Sequence, residues 1–279
     1  MLVTASIVLY ETPDADIDHL YEDISNSDLK VRVYIIDNSP KPVLDEGKYR
    51  NATYVFMGRN CGYGAGHNVA LARAAEDGSS YHFILNPDVR FGSGVLRALV
   101  GYIDGEGDIG CVMPKILNTD GTIQHLCRLL PTPSDLIGRR FLRSLFPSHI
   151  TERNARYELS FWNYDTTEHI PVLSGCFMLL RMSIVQKVGA FDERFFMYLE
   201  DYDLVRRIGS SSRTMYYPLV SATHAHARKS YKTLGSTIMH IRSAIQYFNK
   251  WGWFFDAERQ KANTETLKRI LKTMHFTKG

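Results

Sequence analysis

Three groups of residues in this chain have the types and spacing to do chemistry. The densest is Glu200-Asp201-Tyr202-Asp203, which follows Phe195-Phe196-Met197-Tyr198. Clustered carboxylates near aromatic rings raise one another's pKa, which suits a general base. On a helix Glu200 and Asp203 share a face while Asp201 points elsewhere, and either face is a candidate. The plainer role is to complement a helix dipole, with Asp203 paired to Arg206 or Arg207. The second group is Asp88, in Leu85-Asn86-Pro87-Asp88, with His224 and His226 far downstream. A carboxylate ending a buried strand can hold a hard divalent cation that bridges a substrate diphosphate. Asp88 also fits as a turn-former after proline. His224 and His226 share a face if they lie in a strand. The third group is Asn60-Cys61-Gly62-Tyr63-Gly64-Ala65-Gly66-His67-Asn68. Glycines let backbone approach a phosphate, and a helix starting near Asn68 offers free N–H groups to an anion. The segment matches neither the dinucleotide fingerprint after a first strand nor a P-loop. A tight strand-to-helix turn explains it equally well.

The elements that must position these groups are legible in outline. Buried strands are expected at 2–9, 31–36, 54–57 and 81–85, with helices at 14–25 and 68–76 between them. Strands alternating with helices predict an α/β domain with a mostly parallel sheet, where ligands bind at the carboxyl ends of strands. Asp37, the glycine-rich segment and Asp88 all fall at such ends. Further on, a helix is expected at 92–104, a strand at 110–116, a strand at 171–181 and a helical end at 185–188. A helix at 198–208 carries the acidic cluster, and a strand at 214–217 precedes the histidines. Residues 131–168, with Arg139, Arg140, Phe141, Arg143 and Phe146, read as a long loop or lid with a helical piece. An amphipathic helix at 237–255 places Ile238, Ile241, Ile245 and Phe248 on one stripe.

Composition narrows the classes. The chain has 279 residues, 44% hydrophobic and 23% charged, which is ordinary for a globular fold and excludes disordered, collagenous and disulfide-scaffold classes. The longest unbroken apolar run, Cys176 to Leu180, is far shorter than a spanning helix, and the first residues lack the basic region of a signal peptide. Cys61, Cys111, Cys127 and Cys176 form no C-x-x-C pair and read as free thiols. No nucleophile elbow surrounds Ser174-Gly175, and no nucleic-acid recognition motif is present. The net charge of +3 hides an asymmetry: Arg228 to Gly279 holds 11 basic and 3 acidic residues, a balance of +8 on an acidic body. Such a tail suits an anionic partner or forms a solvated helical face.

Taken in order, the segments resemble family 2 nucleotide-sugar glycosyltransferases of GT-A fold, in their bacterial rhamnosyltransferase-like branch. The resemblance is carried by Ser6 to Tyr10, Ile36-Asp37-Asn38-Ser39, Asn60 to Asn68, Leu85 to Val89 and Gly175 to Met178. It continues through Val188 to Leu204, His224 with Ser230-Tyr231-Lys232, and Tyr247 to Trp253, and spans nearly all of the chain except about 120–168. It implies a Rossmann-like catalytic domain over 1–227, a mixed and mostly parallel sheet flanked by helices, and a basic helical extension over 228–279. It implies that Asp37 bonds the donor's base beside Val8 and Tyr10, and that Asn38, Asn60, Gly62, Tyr63, Gly66, Asn68, Asn86 and Gly175 shape the donor pocket. Asp88 ends the family's D-x-D metal motif, with Asn86 replacing its first Asp; Asn can still offer a carbonyl oxygen, at lower charge. His224 is the implied second ligand to Mg²⁺ or Mn²⁺, ahead of His226. Asp201 is the implied general base, with Glu200 in support. The branch implies dTDP-L-rhamnose as donor and a cell-surface glycan, often lipid-linked, as acceptor. A UDP-hexose or UDP-amino-sugar donor and a non-catalytic nucleotide-sugar-binding module are the alternatives. Further expectations are a cytoplasmic site of action, a peripheral membrane contact through the basic tail near Trp251, Trp253, Phe254 and Phe255, and a homodimer.

Overall fold

The computed structural model describes every residue except 46, 139–146, 226–233 and 277–279. Nine strands form one mixed sheet. Strands β1 (Val3–Leu9), β2 (Arg32–Asp37), β3 (Ala52–Phe56) and β4 (Tyr81–Leu85) run parallel in the order β3-β2-β1-β4. β1 and β4 are buried at every position, as strands covered on both faces must be. Past β4 the sheet continues through β8 (Phe177–Arg181), β6 (Ile109–Leu117), β9 (Arg213–His224) and β5 (Val89–Phe91). β8 is antiparallel to both β4 and β6, β6 and β9 are parallel, and β5 and the short β7 (Glu168–His169) run antiparallel to β9. The antiparallel pairs matter for function. They bring the residues preceding β8, and the end of β9, to the same edge as the end of β4.

The helices are α1 (Asp14–Ser25), α2 (Tyr63–Glu76), α3 (Val95–Gly105), α4 (Pro147–Tyr157), α5 (Met182–Val188), α6 (Glu200–Gly209), α7 (Leu234–Trp251) and α8 (Ala257–Phe276), with a π-turn at Ser134–Gly138. Three differ from the sequence expectation. α2 begins at Tyr63 rather than near Asn68, so Gly64 and Gly66 lie inside it. Gly66 is there because α2 lies tight on β1: a Cβ would sit 2.9 Å from the Val8 side chain. The expected strand at 171–181 shortens to β8, leaving 171–176 irregular. The expected helix at 237–255 ends at Trp251, where Gly252 takes φ 96°, and α8 follows.

The buried face of α7 is also not the predicted one. Ser243, Ala244, Tyr247 and Phe248 face inward, whereas Ile238, Ile241 and Ile245 are 58%, 37% and 44% exposed. Polar anchors set the rotation. Asp203 on α6 is fully buried and receives Trp251 Nε1 at 2.8 Å, Lys250 Nζ at 2.7 Å and Arg207 Nε at 2.8 Å. Arg206 pairs with Asp256 at 2.8 Å and stacks over the Trp251 ring. α8 is tied on by Asn263, whose amide bonds both backbone groups of Leu130. Helices α7 and α8 are thus packed on the sheet-bearing body, through α6 and Leu130.

Beneath the sheet a buried polar ladder runs from Thr4 Oγ1 to His82 Nδ1 (2.7 Å), His82 Nε2 to Ser6 Oγ (2.8 Å) and Ser6 Oγ to His67 Nδ1 (2.7 Å). Burial pushes the His82 ring down to about 3, and the His67 ring well below its usual range.

Candidate active site

A cavity of about 750 Å³ opens at the sheet edge where β4 and β9 end and β8 begins. Its walls include Val8 and Tyr10 after β1, Tyr63 from α2, Asn86 and Asp88 after β4, Gly175 before β8, Glu200 and Asp201 from α6, and His224 ending β9. These nine are the predicted site residues that the fold brings together. Register explains it: Asn86 N–H bonds Cys176 O, and Val89 pairs with His224 across β5 and β9.

Asp201 is held as an acceptor. Its Oδ2 receives Gly175 N–H at 3.0 Å and its Oδ1 receives Tyr202 N–H at 2.9 Å. Burial raises its pKa, while those two N–H groups and the Arg128 charge pull against it. Glu200 is 6% exposed, and its Oε2 is buried without a hydrogen-bond partner. Burial first, then the Asp201 charge, pushes it well above the carboxylate range. Both groups are raised, and the two N–H donors on Asp201 make it the more readily ionised of the pair. Tyr198 and Leu199, with φ of 70° and 65°, turn the chain sharply before α6 and set both acids at the cavity wall.

At the opposite side His224 Nε2 lies 3.2 Å from Asp88 Oδ1. Gln124, absent from the sequence expectation, orients the ring. Its Nε2 donates to His224 O at 2.7 Å, so its Oε1 faces Nδ1, 3.1 Å away. An amide oxygen only accepts, which assigns the ring proton to Nδ1 and turns the Nε2 lone pair toward Asp88. One imidazole nitrogen and one carboxylate suit a divalent cation that keeps its other positions for phosphate oxygens and water. Among the described residues no three His, Cys, Asp or Glu cluster as a closed metal cage. Asn86 departs from expectation. Its amide oxygen accepts the Tyr63 hydroxyl at 3.0 Å, a hydroxyl shared with Gly175 O at 2.7 Å, and its nitrogen faces His224 Nε2 at 3.3 Å. It thus shapes the pocket rather than offering its oxygen to a cation.

The remaining predicted donor-site residues do not line the cavity. Asp37 is fully buried, and its carboxylate accepts Ser39 N–H (2.9 Å), Val43 N–H (2.9 Å) and Tyr54 OH (2.5 Å). It organises the turn after β2. Asn38 bonds Gly62 O, and Asn60 accepts Gly62 N–H. Asn68 clamps both backbone groups of Phe191 at 2.9 Å. Gly62 and Gly66 serve close packing, and Tyr63 N–H is spent on Phe196 O. The glycine-rich segment is thus a packed helix start, not an open phosphate cradle. His226 and the basic-aromatic group at 139–146 lie outside the described residues, as do residues 230–232. Sequence reasoning missed Gln124, Arg128, Tyr157, Tyr202 and His240 at or beside the cavity. Only Tyr202, inside the acidic cluster, stood in a motif already singled out.

This sheet, with its acidic helix start facing a carboxylate–histidine pair, defines the class of GT-A-fold proteins. No family model matches the chain. Its sequence is 28% identical over 208 residues to an N-acetylglucosaminyl-diphospho-decaprenol L-rhamnosyltransferase of Mycobacterium tuberculosis, covering 70% of the chain and 64% of that protein. It is 25% identical over 243 residues to rhamnosyltransferase WbbL of Escherichia coli, covering 83% of the chain and 87% of that protein. The structure of GalNAc-T7 with UDP, GalNAc and Mn²⁺ superposes with a TM-score of 0.61 at 12% identity, over 81% of this chain and 43% of that one. The chain therefore has the GT-A fold, and its sequence is similar to these two rhamnosyltransferases.

Proposed function

We propose that the protein is an inverting glycosyltransferase that moves a sugar, L-rhamnose from dTDP-L-rhamnose in the leading reading, onto a bacterial cell-surface glycan. The observation that carries it is Asp201, fixed by two backbone N–H bonds in one cavity with Asp88 and His224. In this reading the donor lies between Tyr63, Asn86 and Gly175, with its diphosphate toward Asp88 and His224. Those two residues would hold Mg²⁺ or Mn²⁺, which supplies charge neutralisation of the leaving diphosphate. Asp201 accepts the proton of the acceptor hydroxyl as that oxygen bonds the anomeric carbon. The bond to the diphosphate breaks on the opposite face, inverting the centre. Glu200, protonated, donates a hydrogen bond to the acceptor. The rhamnose assignment draws on the names of the sequence relatives. The first of those names also supports a lipid-linked diphosphate acceptor. No helix among the described residues is long and apolar enough to cross a membrane. The exposed Ile238, Ile241, Ile245, Phe254 and Phe255 support a peripheral contact with the inner membrane face.

The test is donor turnover with purified protein, Mg²⁺ or Mn²⁺, and a panel of dTDP- and UDP-sugars. Metal-dependent release of dTDP from dTDP-L-rhamnose is expected, falling by about 10²- to 10⁴-fold in Asp201→Asn. Release from a UDP-sugar alone would keep the mechanism and sink the rhamnose donor. Nucleotide-sugar binding with no turnover of any donor, even with lipid-linked diphosphate acceptors supplied, would favour the non-catalytic module.

A further inference from the structure

The cavity has a second half that donor chemistry leaves unused. Its wall is built by Arg128, Tyr157 and Tyr202, with Leu126 and Leu136 beside them. Arg128 is placed by its backbone N–H on Val172 O, and its Nη1 donates to the Tyr202 hydroxyl at 2.5 Å. Tyr157 donates to the same oxygen at 3.0 Å. Tyr202 therefore accepts two hydrogen bonds, which leaves its own proton to donate. Arg128 Nε is buried with no hydrogen-bond partner. Among the described residues Arg128 forms no ion pair, and Asp135, the nearby wall carboxylate, is already engaged by Arg153 at 2.8 Å and by Thr132. Glu158 and Asp201 reach Arg128 only through longer-range electrostatics, so its buried guanidinium keeps room for an anion in the cavity. The guanidinium and the Tyr202 hydroxyl put donors on this wall, with Tyr157 orienting that hydroxyl, and that chemistry suits anionic oxygens. Elsewhere the cavity is lined by acids, including Asp16, Asp88 and Asp201.

We propose that Arg128, with Tyr202 and Tyr157, forms an anion subsite for the acceptor, taking a phosphoryl or carboxylate group carried near the hydroxyl that Asp201 deprotonates. This rests on the glycosyltransferase reading above. It goes beyond that reading in assigning the acceptor's anionic group to Arg128 and Tyr202, with Tyr157 orienting the Tyr202 hydroxyl. A lipid-linked diphosphate and a uronic-acid residue are the two sources of such a group.

The experiment is calorimetric binding to nucleotide-saturated protein with Mn²⁺. The probes are geranyl diphosphate against geraniol, and octyl glucuronide against octyl glucoside. One charged probe is expected to bind where its neutral partner does not, and which one binds identifies the source. Arg128→Gln should weaken that probe at least about tenfold, the loss expected when a charge-assisted hydrogen bond goes. Arg128→Lys should restore part of it. Tyr202→Phe, which removes one hydroxyl and keeps the ring, should weaken it less and guards against a misfolded arginine variant. Nucleotide affinity should stay within about twofold in all three variants. Equal affinity of variant and wild type, no binding of either charged probe, or loss of nucleotide affinity in Arg128→Gln would overturn the subsite. Failure of the wild type to bind any nucleotide would instead overturn the glycosyltransferase reading. The probes would then be judged on the nucleotide-free protein.

Discussion

Glu200 and Asp201 are neighbours with opposite tasks, and their surroundings explain it. Asp201 has two N–H donors on its carboxylate, while Glu200 has a buried oxygen with none. Glu200's pKa is raised above its ordinary value near 4.5 in the fold. The folded state therefore binds the proton more tightly than the unfolded chain. That stability is full below the unfolded value and is lost as pH rises through the folded one. Glu200→Gln should then gain thermal stability over wild type as pH rises from 5 to 9, in melts across that range. If Asp201 is the base as proposed, the acid limb of kcat should stay in place in this variant; a shifted limb would mean Glu200 is ionised during turnover. Gln124 acts on His224 alone. Gln124→Leu frees the ring to change tautomer and should weaken Mn²⁺ binding by about 10- to 100-fold, the usual loss for a ligand's orienting partner. Paramagnetic titration of free Mn²⁺ reads this without activity, and unchanged affinity would remove Gln124 from the site.

At the scale of elements, α6 does two jobs with opposite faces. Asp201 reaches the cavity, while Asp203 anchors α7 through Arg207, Lys250 and Trp251. The sequence pattern left both faces open, and the pairing of Asp203 with Arg207 was among the options it offered. Asp203→Ala leaves Lys250 and Arg207 without their shared buried carboxylate. A loss of about 3–5 kcal/mol is expected, as for other broken buried pairs. Urea unfolding checks it, and a change under about 1 kcal/mol would mean that packing alone docks α7. The glycine-rich segment shows the limit of motif reading. Its composition fits a phosphate loop and a tight turn alike. The turn won because α2 starts early and its small residues close on β1 and Phe191.

At the scale of the molecule, α7 and α8 pack on the sheet-bearing body instead of trailing from it. α7 contributes His240 to the cavity, and its outer face carries Ile238, Ile241 and Ile245 with Arg242 among them. No acidic residue lies on α7, which suits an anionic lipid surface. The aromatic stripe expected to meet the membrane divides: Trp251 packs against Arg206, while Phe254 and Phe255 stay 75% and 96% exposed. Ile241→Glu with Ile245→Glu should cut sedimentation with phosphatidylglycerol-containing vesicles by about tenfold or more, from the lost apolar burial. Equal sedimentation of variant and wild type would exclude this face.

Much of the architecture is local and was therefore legible in sequence. Buried runs marked β1, β2 and β4, turn residues marked their ends, and the ordered motifs pointed to Asp88, Asp201 and His224 as partners in one site. What the sequence could not carry was orientation. Asp37 stood out as a strand-end carboxylate, but only the fold shows that it also holds Ser39, Val43 and Tyr54. The stripe of isoleucines on α7 looks like a core face until Asp203 turns the helix the other way. Gln124 lies a hundred residues from the histidine it orients, and Arg128 meets Tyr202 across 74. Periodicity reports which residues share a face of one element, and only the packing of distant elements decides what that face meets.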